Sequence, residues 1–217
     1  MSWETLKDKY HGQTCIIIGN GPSLRKIPRA FLEKYPTFGT NKIFLLDGFT
    51  PTYYAAVNPL VIEQNEVRIT EIRNDGVFLA AHAGIEGEGV YQLHSAGIPT
   101  FSRNPDKWVY EGFTVTYVCM QLAYYMGFNV CLLVGVDHSY RYEGKPNQEV
   151  VASGPDPNHF HPDYFNDGVR WHNPDLKRSE QAYRMAKTVF EADGRRIINL
   201  TPGSKLDVFE KGAVKEW

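Results

Sequence analysis

The sequence predicts an α/β fold, a doubly wound and mainly parallel sheet with helices on both faces and a loop that covers the active site. Three observations carry this. Thr14 to Gly19 and Asn129 to Val134 are short, apolar runs rich in β-branched or aliphatic residues, as strands buried on both faces are. Helical spacing appears in Thr114 to Met126, which is apolar all round, and in Leu176 to Ala192. The strands give way to turns built on Gly, Asn or Asp, which is the rhythm of βαβ units.

Taken in order, the run Thr14 to Gly19 passes straight into Asn20-Gly21-Pro22-Ser23. Leu24, Ile27, Phe31 and Leu32 then recur at helical spacing, with Ser23 placed to cap that helix. Thr37 to Asn41, Tyr53 to Val57 and Val77 to Ala81 read as further strands, separated by turn signals such as Asp47-Gly48 and Asn74-Asp75-Gly76. The buried helix from Thr114 stops at Gly127, and the strand that follows ends in Gly135-Val136-Asp137. From about residue 138 to 173 Gly, Pro, Asp, Asn, His and Tyr dominate and no apolar period survives, which predicts a lid or binding loop. Arg196 to Leu200 supplies a last strand before the turn Thr201 to Ser204. Residues 1–217 are expected to form a single domain.

Composition narrows the partners. With 23 basic and 25 acidic residues the net charge is −2 and no long block of one sign occurs, so a nucleic acid is not an expected partner. Cys15, Cys119 and Cys131 lie inside apolar runs at no metal-ligand spacing and read as buried thiols in a reducing compartment. The first ten residues lack a signal-peptide core, and no run of about 18 apolar residues occurs, so a cytoplasmic location is expected. Peripheral contact with a membrane stays open, as does self-association through sheet edges or the aromatic helix near Tyr124 and Tyr125.

In such sheets ligands bind outside the carboxyl ends of the strands. Gly19, Asn20, Gly21 and Ser23 form a turn there, where Gly21 would let a ligand approach the backbone and the next helix would offer N–H groups to a phosphate. A tight turn needs glycine for steric reasons as well, and the pattern is neither G-x-G-x-x-G nor a Walker loop. Asn41 and Asn58 follow the second and third strands, and amides that both donate and accept could read a pyrimidine and a ribose. Asp137 suits a ribose, a metal or a turn cap. Tyr140 and Tyr142 could donate to a phosphate or simply pack. His159 and His161 in the lid suit proton transfer or, less completely for want of further ligands, a metal pair.

Gly19-Asn20-Gly21-Pro22-Ser23-Leu24, Thr40-Asn41, Asn58-Pro59 with Glu63-Gln64, Gly135-Val136-Asp137 and Asn158-His159-Phe160 occur in the order found in bacterial lipo-oligosaccharide sialyltransferases, which the chain resembles from about Thr14 to Phe209. It is more similar still to the MptE-like family, known also from flagellin-glycosylating motility accessory factors. That likeness rests on Phe49-Thr50-Pro51-Thr52-Tyr53-Tyr54, Thr114-Val115-Thr116-Tyr117 and Pro202-Gly203-Ser204-Lys205-Leu206-Asp207.

The resemblance implies a modified Rossmann-type glycosyltransferase that moves an acidic, sialic-acid-like sugar from a CMP-activated donor to a glycan or lipid-linked acceptor without an obligatory metal. By it, Asn20, Asn41 and Asn58 would hold the cytidine nucleotide with help from Ser23 and the helix terminus at Thr114. His159 would deprotonate the acceptor, and Tyr140 and Tyr142 would stabilise the departing phosphate. Two departures stand out: Gly112 occupies the register of an arginine, and Ala80-Ala81-His82 replaces an expected asparagine. The MptE name implies a rival chemistry, diphosphate transfer from ATP to a hydroxymethylpterin with Mg²⁺, for which Asp137, Asp163 or Asp167 would be the carboxylates. Because a fold does not by itself specify chemistry, a non-catalytic nucleotide-binding module is a third reading.

Overall fold

The computed structural model describes residues 2–217. In chain order its elements are β1 (Thr14–Ile18), α1 (Arg29–Leu32), β2 (Thr37–Thr40), β3 (Tyr53–Ala56), α2 (Pro59–Thr70), β4 (Gly76–Ala80) and β5 (Val90–Leu93). There follow α3 (Val115–Tyr125), β6 (Val130–Val134), β7 (Glu149–Val151), β8 (Arg170–His172), α4 (Leu176–Ala192), β9 (Arg196–Asn199) and β10 (Glu210–Lys211). Eight strands form one sheet in the order β10-β9-β6-β1-β2-β3-β4-β5, and every pairing in it is parallel. This is a Rossmann-like, doubly wound α/β fold. From β1 the chain winds one way to β5, then returns through α3 to β6 on the other side of β1 and winds outward to β10. Right-handed crossovers require that the reversal put α3 and α4 on one face and the earlier connections on the other. α3 and α4 do pack against each other. The switch point, where loops diverge and leave a crevice, is therefore the carboxyl edge between β1 and β6.

The central strands are uniformly apolar because both faces are covered. Ile16, Ile17 and Ile18 of β1 and Leu132, Leu133 and Val134 of β6 are fully buried. All of α3 is buried, as its all-round apolar sequence predicts. Phe38, Tyr53, Phe78 and Tyr91 add an aromatic row across the sheet, with centroids 5.3, 5.9 and 5.0 Å apart in succession. The three thiols are free and buried, and burial pushes those of Cys15 and Cys119 up. No helix among the described residues is long and apolar enough to cross a membrane.

Several elements differ from expectation. The single helix expected after β1 is a 3-10 turn, Pro22–Lys26, followed by the one-turn α1. Pro28 lacks an N–H and forces Ile27 into extended backbone, which divides the segment. Ser23 lies within the turn and does not cap it, since Gly21 holds the cap position. Helix α2 and strands β5 and β10 carry no clear period in the sequence. The lid is not structureless: β7 and β8 pair antiparallel within it, with Val150 opposite Trp171.

Candidate active site

A cavity of about 560 Å³ opens at the switch point. Its size suits a nucleotide-scale ligand. The turns after β1, β2 and β6, the amino ends of α2 and α3, and the lid line it. Gly19, Asn20, Gly21, Asn41, Asn58, Thr114, Asp137, Tyr140 and His159 all border it. Ser23, Tyr142 and His161 do not. Tyr142 instead faces a separate pocket of about 330 Å³ formed within the lid, so it is not brought together with His159. His161 accepts from the Asp163 N–H at 3.1 Å, so the pair His159 and His161 is not presented to the cavity together.

The turn after β1 is shaped by a neighbouring chain crossing rather than left open as a cradle. Gly21 N donates to Gly135 O at 2.8 Å, and a Cβ on Gly19 would lie 2.5 Å from the same oxygen. A Cβ on Gly21 would fall inside the Asp137 carboxylate. That carboxylate accepts from Ser23 N at 3.2 Å and from Ser23 Oγ at 2.6 Å. Of the three readings open to Asp137, the turn cap is the one its contacts match. The N–H and the hydroxyl of Ser23 are thus both given to Asp137.

The three asparagines fall into two kinds. Asn58 caps α2, its Oδ1 accepting from Leu60 N at 2.9 Å, while its Nδ2 meets His172 Nδ1 at 3.2 Å. Both ends of that amide are satisfied within the protein, so it latches the lid to α2 and leaves little to offer a ligand. Asn20 donates from Nδ2 to Thr40 O and Oγ1 at 2.9 and 3.0 Å. A carbonyl oxygen can only accept, so this contact fixes the amide and leaves Asn20 Oδ1 buried without a partner. Asn41 holds positive φ (48°), and its Oδ1 is likewise buried and unpartnered. So is Oδ1 of Asn173, a lid residue that the sequence did not single out. Three residues that border one cavity therefore each carry a buried amide oxygen without a donor, a costly state.

His159 is the most constrained group here. Its Nδ1 lies 2.7 Å from Asp156 Oδ2, and Asp156 Oδ1 accepts from Asn158 N at 2.8 Å. The imidazole stacks on Tyr164 with centroids 3.8 Å apart and planes 2° from parallel. Tyr140 meets its edge at 5.8 Å. With Nδ1–H given to the carboxylate, the lone pair sits on Nε2, the arrangement of an oriented base. Burial, then the charges of Tyr183, Asp137 and Asp156, pushes the Tyr140 phenol up, so it remains an O–H donor. Burial and Tyr140 do the same to Tyr164. Sequence reasoning missed Asp156 and Lys42. The Asp-x-x-His spacing was the available signal for the first, and its position directly after Asn41 was the signal for the second.

At the amino end of α3, Thr114 is the cap and accepts from Thr116 N at 3.3 Å, with Tyr183 Oη 3.3 Å from its hydroxyl. Gly112 explains one departure from the sialyltransferase pattern. It holds positive φ (60°), and a Cβ there would meet Tyr117 at 2.5 Å and Ala182 at 2.8 Å, so no arginine fits this backbone. His138 also borders the cavity, its Nε2 3.1 Å from Glu180 Oε1.

A family model described as 6-hydroxymethylpterin diphosphokinase MptE-like matches residues 1–143. The chain belongs to the MptE-like family. Two solved structures of the sialyltransferase CstII from Campylobacter jejuni share the architecture of this MptE-like chain. The complex with cytidine-5'-monophosphate is 14% identical over 94% of this chain and 86% of that one, with a TM-score of 0.53. The complex with CMP-3FNeuAc is 16% identical over 93% and 86%, with the same TM-score. At that identity the likeness describes the fold. No curated protein sequence matches the chain.

The carboxylates bordering the MptE-like cavity are already engaged. Asp137 holds Ser23, Glu111 accepts from Ser95 Oγ, and Asp175 caps α4 by accepting from Arg178 N at 3.0 Å and holds Asn147 Nδ2 at 3.1 Å. No group of three metal-ligating side chains occurs among the described residues.

Proposed function

We propose that this MptE-like chain is a glycosyltransferase that passes an acidic sugar from a CMP-activated donor to a hydroxyl of a glycan or lipid-linked acceptor. The observation that carries the reading is His159 at the wall of the switch-point cavity, its Nδ1 paired with Asp156, which borders the lid pocket. His159 Nε2 takes the acceptor's proton as the acceptor oxygen bonds to the anomeric carbon. The bond from that carbon to the phosphate oxygen breaks, and CMP leaves with the electron pair. Tyr140, kept protonated by burial, donates to the departing phosphate beside the amino end of α3. The unpartnered oxygens of Asn20 and Asn41 accept from the nucleoside's amine or hydroxyls. Orientation and base assistance supply the rate, with no step routed through a metal.

The family description favours a second reading, diphosphate transfer from ATP to a hydroxymethylpterin. Mg²⁺ for that reaction takes one or two protein carboxylates. The carboxylates at the cavity are committed to turn caps and neighbouring side chains, a poor fit to that ion. Titration calorimetry with CMP, CDP, UDP, GDP and ATP, each with and without Mg²⁺, separates the two. Selective, metal-independent binding of CMP or CDP supports sugar transfer. Mg²⁺-dependent ATP binding without cytidine preference sinks it and favours the diphosphokinase.

A further inference from the structure

Lys42 follows Asn41 at the carboxyl end of β2 and borders the cavity, yet it is only 8% exposed. Its Nζ donates to the backbone oxygen of Tyr164 at 2.7 Å, which uses one of three N–H bonds. No carboxylate among the described residues lies within ion-pair distance of it. Asp156 is near enough to favour the ammonium but spends its oxygens on His159 and Asn158, and burial outweighs its help, lowering the Lys42 pKa. A buried charge without a partner is costly, and a cavity wall is where a ligand would supply one.

We infer that Lys42 is the counter-ion for an oxyanion carried by the bound substrate. The ammonium lies 5.5 Å from the centroid of the Tyr164 ring, the ring on which His159 stacks. An anion held by Lys42 therefore sits close to the base. Two oxyanions qualify under the proposed sugar transfer, on which this part rests. One is the donor phosphate; the other is the carboxylate of an acidic sugar of the 2-keto acid type, which is attached to the anomeric carbon itself. The ion pair does not depend on that reaction, since any phosphate-bearing substrate would meet the same charge.

The test compares ligand pairs that differ by an anionic group, measured by calorimetry on the wild-type chain, Lys42→Met and Lys42→Arg. The pairs are cytidine with CMP, CMP with CMP-N-acetylneuraminate, and adenosine with ATP. The Met variant is expected to lose about tenfold or more of the affinity that the anionic group adds, with the uncharged nucleoside unaffected and part of the loss restored by Arg. A response in the first pair assigns the phosphate, and one in the second assigns the carboxylate. A response confined to adenosine and ATP retires the sugar-transfer reading and leaves the inference standing. Equal weakening of uncharged and anionic ligands in the Met variant overturns it, leaving Lys42 as a staple between β2 and the lid. A wild-type protein that gains no affinity from any of the added groups overturns it too.

Discussion

Asp156 Oδ2 stands 2.7 Å from His159 Nδ1, and the side chain of each is nearly fully buried. A carboxylate in that position sets the tautomer of the ring and leaves Nε2 as the acceptor of a proton. Asp156→Asn is expected to lower kcat by about 10²-fold, at the lower end of what a positioned base contributes. CMP affinity should stay within about twofold, because the proposed nucleoside contacts are made by other side chains, Asn20 and Asn41. Nitrogen NMR of the His159 ring supplies a second reading: one dominant tautomer in the wild-type chain and a mixture in the variant. His159→Ala should abolish transfer and spare binding. Loss of binding in either variant would give the pair a structural role instead.

The packing of Gly21 against Asp137 makes a separate point about the turn. Gly21→Ala puts a methyl group into the Asp137 carboxylate and near Gly135 O, which should cost about 1–3 kcal/mol of stability. Asp137→Gly in the same chain removes the first clash and not the second, so part of the loss should return. Denaturant melts of both single variants and the double variant measure that coupling. Additive losses would mean that the two residues do not meet.

How much of this was legible depended on what each segment buries. β1 and β6 were plain because covering both faces demands uninterrupted apolar residues, and α3 was plain for the same reason. Helix α2 hid because it buries only Leu60, Ile62 and Ile69 and bends at Asn65, which leaves no steady period. The ribbon of β7 and β8 is at most half-buried and contains no fully buried side chain, so no apolar run announced it. His159 was readable as a residue type in a lid, whereas Asp156 offered only the Asp-x-x-His spacing, a weak signal in an irregular loop where no helix face aligns the two. Lys42 had only its place directly after Asn41 to distinguish it from a surface lysine until its burial was known. Asn58 looked equivalent to Asn20 and Asn41 by position, and only hydrogen-bond bookkeeping separates a helix cap from two buried, unpartnered acceptors.

That separation is testable at Asn41. Its positive φ means that alanine would add backbone strain to the loss of the amide, whereas glycine adopts this conformation freely. Asn41→Gly is therefore expected to keep a melting temperature near that of the wild-type chain while weakening CMP by about fivefold. Calorimetry with CMP checks the second part and thermal melts the first. Unchanged affinity would remove Asn41 from the nucleotide site.

The last prediction concerns Asp193, just past α4, which accepts hydrogen bonds from the Tyr124 hydroxyl and from Arg103 Nη1. The Tyr124 bond, followed by the Arg103 charge, holds its carboxyl below the usual 3.8. A carboxyl whose folded pKa is depressed contributes stability above its unfolded value and loses it as pH falls through the folded one. Asp193→Asn should accordingly melt below the wild-type chain at about pH 7, with the gap constant down to about pH 4 and closing at more acid pH. The carboxylate is partly open to water, so the gap should be small and should narrow further in high salt. Melts of both chains across that range decide the matter. A gap that persists unchanged below the folded pKa would mean that asparagine disturbs packing against Tyr124 and that the charge itself contributes nothing.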